Sequence, residues 1–378
     1  MASDDERLAL LALSLVPGLG PIRLRALREH HGSACTALAA ARAGAWPRLR
    51  GVANSAALAG AVDVEAATQA LARCARAGAW LLSDDDARYP EHWRHFPELP
   101  PLLWVRGVWP PGLDAYPPAA VAVVGSRRAD AAACAFARDL GRTLANAQAV
   151  VVSGLAFGID AAAHRGALAA GRGAAATLAV VAGGVDRPGP SGNAGLARAI
   201  LEAGGALVSE APLGYEPTRG DFPRRNRLIA ALARAVIVVA AGEASGAQLT
   251  AGHAARFGRD VFVCPARPWD DHLGGNLSLL RDGASLLLSV AEAPSQLGFT
   301  SAQAASAAQP RPDVPPDALP PELAWAWATL TTTPTPLDAL LARSGMPVGA
   351  TLAGLEQLVA LGLCEVDGAR RYRRLGSS

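Results

Sequence analysis

From residue 119 to 266 the sequence repeats one unit, a short apolar run followed by a helical segment. The apolar runs are AVAVVG (120–125), AVVVSG (149–154), TLAVVAGG (177–184), ALVSE (206–210), AVIVVAA (235–241) and DVFVCPA (260–266). Helical patterning lies over 130–147, 159–171, 193–204, 224–234 and 246–258. Strands without a polar face cannot border water. The pattern therefore dictates a doubly wound α/β fold, a mostly parallel sheet covered by helices on both faces, over 119–293.

The flanks differ. Residues 1–80 are helical, with breaks at Gly32, Gly44 and Gly60, and read as an N-terminal helical domain. Within it LSLVPGLGPIRLRAL (13–27) carries the Pro-Gly-x-Gly turn of a helix-hairpin-helix, whose amides can hold a phosphate, or of an ordinary helix pair. Arg23, Arg25 and Arg28 follow that turn. Residues 81–118, rich in Pro and Trp, read as an extended connector packed on the core, and 294–318 as a flexible linker. Beyond it, 319–378 reads as three helices and a hairpin turned at Asp367–Gly368, the order of a winged helix. Its third helix, VGATLAGLEQLVALG (348–362), lacks the donors that groove reading needs. Arg370, Arg371, Arg373 and Arg374 of the hairpin remain to touch a backbone or an acidic partner.

All 35 basic residues are arginine, yet the net charge is only +2, so an anion site must come from local clustering. No apolar run reaches the roughly 18 residues of a membrane span. The N-terminus MASDDERLALLAL opens acidic where a secretory signal would be basic, so a cytoplasmic location without membrane contact is expected. The five cysteines form no CxxC or zinc spacing, so neither disulfides nor a metal is expected.

Ligands of doubly wound sheets bind beyond the C-terminal strand ends, where helix N-termini offer free amides. Five loops of Gly, Ser and donors converge there: GSRR (125–128), SGLAFGID (153–160), GGVDRPGPSGN (183–193), SEAPLGYEPTRGDFPRRNR (209–227) and EASGAQLTA (243–251). Local readings compete with a ligand site. Ser245 and Gln248 fit a capping box, Gly154 and Gly158 fit close strand–helix packing, and Asp160 with His164 share a helix face as a structural or a catalytic pair. Neither GxGxxG nor GxxxxGK[ST] occurs, which disfavours a dinucleotide site and a P-loop, and no cofactor is expected. The cluster Arg224, Arg225, Asn226 and Arg227 stands at a helix mouth, where the dipole disfavours cations unless an anion joins them.

VAVVGSRRAD, VVSGLAFGIDAAAHRGAL, SEAPLG, FPRRNRLIAAL, SGAQLTAGHAARFGRDVF and GGNLSLLRDGA, in that order, resemble the DNA-processing protein A (DprA/Smf) family over about 110–290. The resemblance implies an extended Rossmann-like domain that binds single-stranded DNA, a homodimer, and loading of the recombinase RecA onto incoming strands during natural transformation. It places Ser126, Arg127, Ser153, Gly154, Arg187, Arg224, Asn226, Arg227, Ser245, Gly246 and Thr250 in a phosphate pocket, with Phe222 stacking on a base. The chain departs from the family pattern at Phe157, where a basic residue is usual and a ring could stack instead, at Gly189-Pro190, and at Ala240.

A non-enzymatic strand binder is the leading expectation, because such binding needs a cationic track with stacking surfaces. Rossmann-like phosphoribohydrolases, which place a glutamate near the position of His253, define a competing hydrolase reading, and a winged-helix regulator defines a third.

Overall fold

The computed structural model describes residues 4–170, 176–299, 321–331, 335–360, 363–366 and 371–374. The chain divides into two compact units, Met1–Ala302 and Gln303–Ser378. The first unit opens with five helices, α1 (Asp4–Ser14), α2 (Pro21–His31), α3 (Ala34–Arg42), α4 (Ser55–Gly60) and α5 (Val64–Arg76). Strands β1 (Ala79–Ser83) and β2 (Leu102–Gly107) follow. The repeating region then supplies β3 (Ala120–Val124), α6 (Ala131–Asn146), β4 (Val150–Ser153), α7 (Ile159–Leu168), β5 (Thr177–Val180), α8 (Ala194–Glu202) and β6 (Ala206–Ser209). It continues through α9 (Asp221–Leu232), β7 (Ala235–Val238), α10 (Gly246–Arg256), β8 (Asp260–Val263), α11 (Gly274–Arg281), β9 (Ser285–Leu286) and α12 (Ala293–Gln296).

The nine strands form one sheet in the order β1-β2-β6-β5-β4-β3-β7-β8-β9. From β6 to β9 every pairing is parallel. Alternation along β3 assigns its faces: Val121 and Val123 pack with Leu140 and Ala163, whereas Ala122 and Val124 pack with Leu228 and Ala251. The mostly parallel, doubly covered sheet expected from the apolar runs is thus present.

Four segments differ from their sequence reading. The stretch read as a connector, 81–118, supplies most of β1 and all of β2, which join antiparallel beside β6. Flanking prolines obscured strands whose residues, among them Leu103 and Trp104, are buried. Leu10, Leu24 and Ala67 share one apolar cluster with Trp104, Ala179 and Leu207, so the N-terminal helices and the sheet have a common core. Of the stretch read as a linker, 294–299 are packed on the first unit: Pro294 and Leu297 are buried, and the Arg234 guanidinium lies 4.2 Å over the Phe299 ring. Its residues 300–318, like Asp367–Gly368 and Arg370, lie outside the described residues. Helix α9 starts at Asp221 rather than 224, with Pro223 in the first turn, where a missing N–H costs nothing. Its arginines therefore belong to the helix body.

The second unit contains α13 (Pro321–Thr329), β10 (Thr335–Pro336), α14 (Leu337–Ser344), α15 (Val348–Ala360), β11 (Cys364–Val366) and β12 (Arg371–Arg374). The strands make an antiparallel sheet in the order β10-β12-β11 around Leu340, Leu355 and Tyr372.

Helices α6 and α7 meet backbone to backbone at two glycines. A Cβ on Gly166 would fall 1.8 Å from the Arg138 carbonyl oxygen, and one on Gly141 would fall 2.2 Å from that of Ala163. Alanine ordinarily gains about 1 kcal/mol over glycine within a helix, but no side-chain rotation relieves a clash with backbone. Gly166→Ala is expected to lose about 1–3 kcal/mol of stability, read as a lower urea midpoint; an unchanged or raised midpoint would contradict this packing.

Candidate nucleic-acid interface

Strand order reverses around β3, which neighbours β4 on one side and β7 on the other. A cavity of about 1110 Å³ opens at that reversal, where doubly wound sheets place their ligands. Ser126, Arg127 and Arg128 from the loop after β3 line it, with Asn226 of α9 and Ser245, Gly246 and Thr250 at the start of α10. Arg267, Asp270 and His272 close the side beyond β8.

Local hydrogen bonds fix these elements. The Ser126 amide donates to the Ala240 carbonyl at 2.6 Å, and the Arg128 amide donates to Ser126 Oγ at 3.1 Å, turning both arginine side chains outward. Ser245 caps α10 by accepting from the Ala247 amide at 3.2 Å. Gln248 does not complete a capping box; its amide nitrogen donates to the Gly242 and Glu243 carbonyls. Asn226 Nδ2 donates to the Gly246 carbonyl at 3.1 Å, tying α9 to α10. The partial positive end of α10 therefore faces the cavity beside the arginines.

Beneath the rim lie a buried guanidinium and a buried carboxyl, Arg225 and Asp160. The Arg225 guanidinium donates to the Gly154 carbonyl at 2.7 Å, to the Val180 carbonyl, and to Asn226 Oδ1 at 3.3 Å. Asp160 Oδ2 accepts from the amides of Gly154 and Ala156 at 3.1 and 3.3 Å. Burial pulls the Arg225 guanidinium down to about 10, against the opposing effect of Asp160, so it stays charged at neutral pH. Burial pushes the Asp160 carboxyl up, opposed by Arg225 and by the hydrogen bonds it accepts. A Cβ on Gly154 would meet Arg225 Nη2 and Asp160 Oδ2, each at 2.7 Å, so only glycine fits between them.

The structure separates residues that the motifs had grouped. Arg224 and Arg227 turn from the cavity to Glu210, at 2.7 and 2.6 Å, with Arg227 almost fully buried. They lie one helical turn apart on one face, opposite a carboxylate the sequence reading had not paired with them. Ser153 is wholly buried, its hydroxyl donating to the Val123 carbonyl at 2.6 Å, and cannot reach a ligand; Gly154 is buried with it. Arg187 is exposed beside Glu216 at 3.3 Å on the loop after β5. Phe222 packs under the Arg127 guanidinium, 4.9 Å from its ring centroid. Phe157 is 48% exposed, its edge over Gly192. Arg128 and Arg267 are lining residues that the motif reading left out, and nothing in the pattern of PARPWDDHL (265–273) marks Arg267.

Charge on the rim is unbalanced in a useful way. Asp130 caps α6 through the Ala133 amide at 2.7 Å, Asp270 accepts from the His272 amide at 3.1 Å, and Asp160 faces Arg225. Arg127, Arg128 and Arg267 have no ion-pair partner among the described residues. The cavity thus presents open cations, while its acids are held by backbone. The arginines after the N-terminal turn are instead engaged: Arg23 donates to the Gly18, Arg50 and Gly51 carbonyls, Arg25 to the Arg94 carbonyl, and Arg28 to Asp84. Those guanidiniums brace the turn internally, and only Arg28 meets a carboxylate there.

Asp160 and His164 form no dyad. His164 Nδ1 lies 2.7 Å from Thr177 Oγ1, whose own proton goes to the Val151 carbonyl, so the imidazole is the donor.

Comparison with known proteins adds a lineage. The family model described as DNA recombination-mediator protein A matches residues 80–298. Protein Smf of Synechocystis is 34% identical over 323 residues, covering 78% of this chain and 80% of that one. A putative DNA processing protein DprA of Mycobacterium tuberculosis is 35% identical over 328 residues, covering 83% and 82%. Among solved structures, DNA processing protein A of Streptococcus pneumoniae superposes with TM-score 0.62 and 27% identity, covering 78% of this chain and 99% of that one. The Helicobacter pylori protein, known for a single-stranded DNA binding mode, gives TM-score 0.50 at 27% identity, covering 58% and 95%.

Burial lowers the His164 imidazole to about 3, against ~6.5 in an unfolded chain. Between those values the unfolded chain binds a proton that the folded one refuses. Stability is therefore lost as pH falls below 6.5, by about 1.4 kcal/mol per unit from this group. His164→Asn, which keeps a donor toward Thr177, is expected to flatten the pH–stability curve by about that slope between pH 6 and 4; parallel curves for the two proteins would refute the assignment.

Proposed function

Since the chain belongs to the DNA recombination-mediator protein A family, we propose that it binds single-stranded DNA across the β3/β7 rim. In this reading it is not an enzyme. It protects incoming strands and hands them to the recombinase RecA during natural transformation, in the cytoplasm. The observation that carries the reading is the set Arg127, Arg128 and Arg267, open cations around a cavity that also receives the N-terminus of α10. A backbone phosphate meets there what the helix dipole and the guanidinium forks both favour. A hydrolase reading is less well supported: among the described side chains the cavity's acids, Asp130, Asp160 and Asp270, each accept from backbone amides, and His253 stacks on Phe257 away from the cavity lining.

Arg127→Ala with Arg128→Ala is expected to weaken binding of an unstructured oligonucleotide roughly tenfold or more. The slope of log affinity against log salt should shrink by about 1.4, or 0.7 for each phosphate that an arginine no longer neutralises. Wild-type affinity and slope in the double variant would sink the interface. Release of base from nucleoside monophosphates would instead favour the hydrolase, and failure of bound strands to accelerate RecA nucleation would remove the loading role.

A homodimer belongs to the same proposal. The far side of β9 is unpaired among the described residues, and Leu286 and Leu288 beside it are 39% and 64% exposed. Open strand edges of this kind recruit another chain. Leu288→Arg is expected to convert a dimer to a monomer in sedimentation equilibrium; a wild-type protein that sediments as a monomer would overturn the assembly.

A further inference from the structure

We propose that Trp269 is a base-stacking site of the same interface, extending the track for single-stranded DNA beyond the cavity to the β8 side. The inference rests on the strand-binding reading above. Trp269 is 79% exposed, more than any other large apolar side chain among the described residues. Leaving so large a ring in water forgoes the stabilisation that burial would bring, and the backbone that carries it is hydrogen-bonded in place. The Asp270 amide donates to the Arg267 carbonyl at 3.0 Å, closing a turn with Pro268 and Trp269 at its tip. Proline in that position presets the backbone. The Leu273 amide then donates to the Asp270 carbonyl at 2.9 Å, and the His272 amide to Asp270 Oδ1 at 3.1 Å. The ring is displayed on a braced turn.

Its neighbours say what the ring is for. Arg267 and Asp270, on either side of the turn, both line the cavity that holds Arg127 and Arg128. Phe157, in the loop after β4, stands across the reversal point on the opposite flank. From β4 through β3 and β7 to β8 is three strand steps, roughly 14 Å at the usual spacing. The two exposed rings thus bracket the cationic cavity. Charge between stacking platforms is the composition of a single-strand track, since every base has a face to stack and every nucleotide a phosphate to pair. An apolar protein partner would require a contiguous patch. Trp269 has instead the exposed Arg267 two residues before it and the half-buried Asp270 directly after it.

The test compares wild type, Trp269→Ala and Trp269→Phe in binding a thymidine homopolymer and the same polymer with abasic sites. Trp269→Ala should bind the thymidine strand about five- to a hundredfold more weakly, the factor carried by one base stack. Its salt slope should be unchanged, and Trp269→Phe should retain most of the affinity. On the abasic strand the three proteins should bind alike. Truncating so exposed a ring leaves no cavity, so an unchanged melting temperature should accompany the loss. Wild-type affinity of Trp269→Ala for the thymidine strand, or an equal loss on both polymers, would overturn the stacking role while leaving the arginine interface standing. Failure of the wild type to bind either strand would overturn the strand-binding reading and this inference with it.

Discussion

Arg225 is the contact on which the rim depends. One guanidinium reaches the carbonyl ends of two strand loops, Gly154 after β4 and Val180 at the end of β5, and also Asn226 of its own helix. Asn226 in turn holds Gly246 at the start of α10. Loops from both sides of the strand reversal are therefore set by a chain of hydrogen bonds that begins at one buried cation. A lysine could not replace it, because a point charge with a flexible stem cannot address several acceptors in fixed directions. Asp160 opposes the charge from α7 while ordering the amides of Gly154 and Ala156. Charged groups in such places gain little net stability, but removing one partner strands the other in low dielectric. That asymmetry makes the pair a device for geometry more than for stability.

The second consequence concerns which charges remain for a ligand. Glu210 occupies Arg224 and Arg227, so the most conspicuous cluster in the sequence is largely turned inward or neutralised. Its role is to fasten the loop after β6 to α9. The open charges sit on loops whose backbones are hydrogen-bonded down to the sheet, as the Ser126–Ala240 contact illustrates. Cations placed on rigid supports lose little entropy on meeting a phosphate.

The apolar runs of the central sheet were legible because burial on both faces leaves a simple signature, and every residue from Ala120 to Val123 is indeed buried. Ser126, Arg127, Asn226, Ser245, Gly246 and Thr250 were legible as a group because strand ends and helix starts place their loops together. The direction of each arginine in FPRRNR was not. Helical spacing puts Arg224 and Arg227 on one face and Arg225 on another, but only the start of α9 at Asp221 and its packing decide which face is inside. Ser153 looked like a ligand donor, yet its place on the last residue of β4 gives its hydroxyl to the neighbouring strand. Strands β1 and β2 were hidden because antiparallel additions interrupted by prolines share no period with the repeating unit.

An all-arginine complement also changes how charge should be counted. Arg23 ties three carbonyls around the N-terminal turn, Arg234 bridges the Pro118 and Leu297 carbonyls, and Arg225 knits the rim. In each case the planar fork replaces several backbone hydrogen bonds that a loop cannot make for itself, which satisfies polar groups that would otherwise be costly to bury. Such arginines contribute to pI but not to a binding face. A chain with a net charge of +2 can then still present a locally cationic surface, because the acids around the cavity are held by amides and the open arginines are not. Local hydrogen bonding, rather than total charge, decides where a phosphate backbone would be drawn.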